Sequence, residues 1–415
     1  MDKRATILPA GTLAAILLCA AATSVFASSA FAQDSNQTTV NQVQLGDVFA
    51  QQTITVEEAP NGSSATSTAV GNSATGVGSG VAMNYQAIQE VNAEIHARSN
   101  ISVADSSGPS LYVTTSATGN TGTGGTCCAA TTGNAAQTID ANHGVTAESY
   151  AYTGGYTQTV SVDSAAIGNT QGWEAVNGTI NSTTTQTHFG STDAETSANI
   201  AAAGEASYSA TAVANNVTTD ATNSAPSQTM SQDADGFTTQ ANVVVNQGSG
   251  DDVVGAATAT ANNINVTSDS YAAALSSDQN STKAVTATSA VNIDSWTGSA
   301  TSSAYGVANS AIVSNAGPAT SMSAQQNNLG AVTVTASLTG GAGGDGLASA
   351  TGVGNAVSGY ACATCNGVVR ASTTQTNSGG VQSNAVITGG SMNSATGIST
   401  AVGNTATFSV QKSGG

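Results

Sequence analysis

Polar and apolar positions alternate along this chain in short runs. Ala290-Val291-Asn292-Ile293, Val332-Thr333-Val334-Thr335-Ala336 and Asn384-Ala385-Val386-Ile387 are examples, and Ala241-Asn242-Val243-Val244-Val245 is close to one. A period of two in Val, Ala and Thr, broken by Gly and Asn, predicts short strands and turns. Gly and Asn suit turns because they reach positive φ at low steric cost.

A longer period organises these runs. Small residues followed by Gly-Asn or Ala-Asn recur at Asn72, Asn120, Asn169, Asn215, Asn262, Asn309, Asn355 and Asn404, 46 to 49 residues apart. These eight asparagines are read as repeat turn positions. A glutamine follows each of the first seven by 13 to 20 residues: Gln86, Gln137, Gln186, Gln228, Gln279, Gln325 and Gln375. Each repeat of about 47 residues therefore reads as two half-units of about 23.

A unit this short cannot bury its own apolar face, so neighbouring units must stack. The expected fold is all-β, a repetitive β-solenoid (β-helix-like), with a thin core of Ala, Val, Thr and Ser. Asn and Gln at equivalent positions are expected to stack as amide ladders along the axis. If each half-unit is one coil, about 16 coils at ~4.8 Å make a rod of roughly 75–80 Å. A repetitive β-sandwich or fibre fold, and segments that order only on assembly, are the alternatives, because aromatics, Ile and Leu are sparse. The solenoid is assigned to 63–415. Residues 33–62, whose part 38–56 alternates strongly, form an N-terminal β segment or cap.

Residues 1–32 read as a signal peptide. Lys3 and Arg4 precede the apolar stretch Ala5–Ala22, and Ala30-Phe31-Ala32 is a small-x-small cleavage site. Leu18, before Cys19, is too large for a lipoprotein signal. No later stretch approaches the ~20 apolar residues of a membrane helix. The expectation is an exported protein held at a surface by partners.

Composition narrows the function classes. The 415 residues carry 24 acids against 6 Lys and Arg, a formal charge of −18, with 7% charged and 4% aromatic residues. So few cations exclude nucleic-acid binding, which rests on phosphate contacts. Few bases, and no His-Glu-x-x-His, Gly-x-Ser-x-Gly or paired-carboxylate motif, argue against an enzyme. A polysaccharide-active β-helix enzyme is the alternative from that class. No cofactor is expected apart from calcium. Gly340–Leu347 (GGAGGDGL) fits a calcium nonapeptide, with an echo at Gly248–Asp252, so Asp345 and Asp251 are candidate calcium-loop residues in equivalent loops. Cys362 and Cys365 are candidates for a local disulfide that export permits. Cys127 and Cys128 lie too far along a rod to pair with them. Tyr150, Tyr152 and Tyr156, with Trp173 nearby, are candidates for stacking on sugar rings or for structural strand positions.

Two resemblances follow. Gly403-Asn404-x-Ala406 followed by Gln411 is similar to the repeat of curlin fibre subunits, with the period doubled here. The size, signal and acidic Thr/Ser/Asn/Gly/Ala composition of the whole chain resemble the holdfast attachment (HfaD-type) proteins of stalked alphaproteobacteria. That resemblance implies a non-catalytic protein at the outer membrane and cell surface of a Gram-negative bacterium. It would anchor an adhesive polysaccharide together with curlin-like and lipoprotein partners. Self-association into an amyloid-like matrix fibre is the alternative.

Overall fold

The computed structural model describes residues 36–362 and 367–411. The signal-peptide reading of 1–32, and Cys365, lie outside the described residues. The first coil is β1 (Asn36–Gln44), β2 (Val48–Val56) and β3 (Ser63–Ser79). The second is β4 (Met83–Val91), β5 (Ile95–Val103) and β6 (Gly108–Cys127). The third is β7 (Ala130–Ile139) and β8 (Val145–Val176), and the fourth β9 (Thr179–His188) and β10 (Thr192–Thr222). The fifth is β11 (Ala225–Ala234), β12 (Thr238–Gly250) and β13 (Asp252–Ser268). The sixth is β14 (Ala273–Ser281) and β15 (Ala284–Asn315). The seventh is β16 (Ala319–Asn328) and β17 (Val332–Cys362), and the eighth β18 (Val368–Asn377) and β19 (Val381–Gln411).

The chain is an all-β parallel solenoid. The short strands β1, β4, β7, β9, β11, β14, β16 and β18 stack in chain order in one sheet, and the longer strands follow the same order in a second. Asn169 pairs with Asn215, and Asn215 with Asn262, so one whole repeat closes one coil. The half-unit reading is thereby corrected. Eight coils at ~4.8 Å give a rod of about 38 Å. The two halves of a repeat face each other across the coil and do not stack, because their inward residues differ. Segment 33–62 contains β1 and β2, two sides of the first coil.

Each coil has four sides: the short strand and three arms of the long path. One corner, near Gly154-Gly155 in β8 and at Asp251 between β12 and β13, separates arms one and two. The other falls at the repeated asparagine. There two successive residues, such as Ala214 and Asn215, both point inward and the alternation changes phase.

Two cores result. Arms one and two enclose small aliphatics such as Ala241, Val243, Val245, Val253 and Ala257. Arm three and the short strand enclose larger side chains, including Tyr85, Trp173, Ile180, Met230, Ile264, Leu275 and Met322. Trp173 fits only because its neighbours are glycine. A Cβ on Gly133 would lie 2.1 Å from its ring. Gly133→Ala is expected to cost about 1–3 kcal/mol by overpacking. Chemical denaturation checks this, and the penalty should disappear in a Trp173→Leu background. An equal penalty in both backgrounds would place the cause elsewhere.

Candidate functional site

The seam between the two cores is polar. Asn72, Asn120, Asn169, Asn215, Asn262, Asn309 and Asn355 each donate Nδ2–H to Oδ1 of the asparagine in the next coil, at 2.8–2.9 Å. The ladder ends on Asn404. The second N–H of each of the seven crosses the coil to a carbonyl at the end of the next short strand, as Asn215 does to Asp233 O at 3.0 Å. A glutamine ladder faces it and runs the opposite way. Gln89, Gln137, Gln186, Gln232, Gln279, Gln326 and Gln375 each donate Nε2–H to Oε1 of the preceding coil's glutamine, ending on Gln42, at 2.7–2.9 Å. Their other N–H returns to the carbonyl after each ladder asparagine, as Gln232 does to Asn263 O. Both N–H groups of an interior amide are thus satisfied in a buried seam.

Two expectations are corrected here. The eight asparagines are corner residues inside strands, and none has positive φ. Among the described residues the asparagines that do are Asn177 and Asn223, in the turns between coils, with Cys128 in the equivalent turn. A branched amide fits the inner corner because it reaches both the next coil and the opposite strand. Gln86, Gln228 and Gln325 are not ladder members, and Gln89, Gln232 and Gln326 take those places. The missed signal was a constant offset: from Asn72 to Asn309 the ladder glutamine lies 17 residues beyond its asparagine.

Asp251 and Asp345 lie at the same corner of coils five and seven, but Asp252 holds the position equivalent to Asp345. Asp252 and Asp345 are both in register with Ser299. Two coils separate the carboxylates by ~10 Å, too far to share a cation held at about 2.3–2.6 Å. Each caps its neighbour instead. Asp251 accepts from Thr297 Oγ1 at 2.6 Å, and Asp345 from Ser394 Oγ at 2.7 Å. Among the described residues no three His, Cys, Asp or Glu converge as metal ligands. Cys127 and Cys128 are bonded to each other. Cys362 ends β17.

A buried charge cluster interrupts the turn column between the short strands and the first arms. Lys283 is fully buried, and its Nζ donates to His188 Nδ1 at 2.7 Å and to Gly190 O, two coils back. A lysine ammonium only donates, so with Lys283 charged Nδ1 accepts and the imidazole proton sits on Nε2, 2.9 Å from Thr192 Oγ1. Burial, against the pull of Asp193 and Asp235, lowers the Lys283 pKa to about 7. Burial, and then the Lys283 charge, hold His188 well below its ordinary value. Burial raises Asp193. Gly168 makes the room, since a Cβ there would lie 2.1 Å from the His188 ring. Composition offered no sign of this cluster, whose partners are 95 residues apart.

Outward side chains form a different surface. On the short-strand side, Thr183, Thr229, Ser276, Ser323 and Ser372 stand in one column, one per coil, and all are exposed. The adjoining column ends at exposed Arg370. A shallow groove of about 450 Å³ crosses β11, β14, β16 and β18 between these hydroxyls and Arg370. Of the aromatic candidates, Trp173 is buried, donating Nε1–H to Thr184 Oγ1 and meeting Tyr85 edge-on at 5.6 Å. Tyr152 and Tyr156 are exposed, and Tyr150 lies under the Arg98 guanidinium at 4.8 Å.

A parallel solenoid with an amide-laddered interior and a lattice of surface hydroxyls defines a β-solenoid repeat protein. The model of the HfaD family, holdfast attachment protein D, matches residues 57–331, and the chain belongs to that family of bacterial cell-surface attachment proteins. The match runs from the first coil to the start of the seventh. No curated protein and no solved structure matches the chain.

Proposed function

We propose that this chain is an exported, non-catalytic rod that holds adhesive polysaccharide at the outer membrane and cell surface, with curlin-like and lipoprotein partners. Membership of the holdfast attachment family carries this reading. The hydroxyl columns support it: a contact repeated every ~4.8 Å along a rigid face lets weak sugar contacts add as avidity. In this reading Arg370 pairs with an acidic sugar or other anionic substituent at one end of the groove.

Deleting the gene should leave polysaccharide made but shed into the medium, with attachment lost. A chain with Thr229→Asp, Ser276→Asp, Ser323→Asp and Arg370→Glu should reach the surface and retain less polysaccharide. Full retention in that strain would remove the groove from the mechanism, and full retention in the deletion strain would remove the anchoring role.

A further inference from the structure

Both ends of the rod are open among the described residues, and they fit each other. The described chain holds eight whole coils. It enters at the start of a short strand, Asn36, and leaves at the end of a third arm, Gln411. Those points flank the corner at which every internal coil passes to the next. A second copy can therefore set β1 on β18 and β2 and β3 on β19, in the parallel register used inside the rod, with no side missing. We propose that copies of this chain stack head to tail in this way, each C-terminal coil seating the N-terminal coil of the next copy. This proposal does not rest on the polysaccharide reading.

The side chains at the two ends support it. At the C-terminal end the asparagine ladder stops at Asn404, whose Oδ1 accepts from Asn355 and whose amide N–H has no partner among the described residues. At the N-terminal end Asn72 donates both its N–H groups inward, and its Oδ1 accepts from none of the described residues. The glutamine ladder shows the reverse. Among the described residues Gln375 donates both N–H groups and its Oε1 accepts from none, while Gln42 uses one N–H on Ser73 O and keeps the other. Carrying the register one step further sets Asn404 beneath Asn72 and Gln375 beneath Gln42, donor to acceptor in both ladders.

Apolar residues follow the same step. Val48 and Ile54 at one end, and Val381 and Ile387 at the other, are only half-covered by their own core. The register places Val48 over Val381 and Ile54 over Ile387. It also places Gly76 over Phe408, in the column where Gly124 leaves room for Trp173. Edge strands with unpaired N–H and C=O groups template such pairing.

The test uses residues 33–415 and two end-blocked variants, Ile54→Arg and Ile387→Arg. Each alters one end and leaves the other intact. By analytical ultracentrifugation and electron microscopy the unmodified chain should form filaments about one coil wide, with a copy every ~38 Å. Each variant alone should be monomeric with an unchanged β-sheet circular dichroism spectrum. An equimolar mixture should give a dimer and stop there, since only one good end of each kind remains. That dimer shows that neither variant has simply misfolded. A monomeric unmodified chain, a mixture that stays monomeric, or association that survives both substitutions would each overturn the proposal.

Discussion

Replacing Asn262 by alanine is expected to destabilise the rod by about 3–5 kcal/mol. The side chain makes three contacts: Nδ2 to Asn309 Oδ1 at 2.8 Å, Nδ2 to Asn280 O at 2.8 Å, and Oδ1 accepting from Asn215 at 2.9 Å. Its removal strands a donor on Asn215 and an acceptor on Asn309 in a seam where both residues are fully buried. Each buried polar group left unpaired costs about 1–3 kcal/mol. Relaxation and water entry keep the total below the simple sum. Asn404→Ala is the control, because Asn404 is exposed at the end of the ladder and only Asn355 loses an acceptor. It should cost about 1 kcal/mol or less in a monomeric, end-blocked background. Urea denaturation followed by circular dichroism measures both. Equal costs would mean that the ladder adds nothing beyond its van der Waals contacts.

The second large effect is a pH dependence centred on Lys283. Its folded-state pKa of about 7 lies below the ordinary 10.5, so between these values the folded chain binds fewer protons than the unfolded chain. Stability therefore rises with pH across that window, and the penalty for burying the ammonium is full below about 7. At about 1.4 kcal/mol per unit the gain from pH 7 to 9.5 is on the order of a few kcal/mol. His188 pushes the same way at lower pH. Its depressed pKa leaves it neutral in the fold, so stability falls as acid protonates the unfolded histidine below about 6.5. Above about pH 10 the trend reverses, because burial raises Tyr85 to about 12 and Tyr208 further, and tyrosinate forms first in the unfolded chain. Lys283→Met should flatten the slope between pH 7 and 9.5. It should also shift the acid loss toward the ordinary histidine range, since Coulomb repulsion on His188 is gone. An unchanged slope in Lys283→Met would show that another group carries it.

These two sites have different histories in the chain. The asparagine ladder was legible because a solenoid repeats its inward chemistry once per coil, and Asn recurs at near-constant spacing. The glutamine ladder was legible only in part. Two Gln side chains lie close together in several coils, as with Gln86 and Gln89 or Gln325 and Gln326, and only the fixed distance to the corner selects the inward one. The Lys283 cluster left no periodic trace, since Lys283 and His188 each occur once in their columns. Their meeting depends on a turn reaching across two coils and on Gly168 leaving a space.

The sequence by itself determined the class of fold, the repeat length, the asparagine ladder and the kinship to holdfast attachment proteins. The first three depend on one-dimensional regularities, a period of two within strands and a period near 47 between them, and the kinship on size, signal and composition. The tertiary structure decided how the repeat closes. One coil takes the whole repeat because its two halves carry different inward amides that bond across the seam. Only that closure shows the asparagines to be inner corners, keeps Asp251 and Asp345 apart, buries Trp173, and leaves two matching ends. Sequence spacing measures distance along the chain, whereas these features depend on which side of a coil each residue faces.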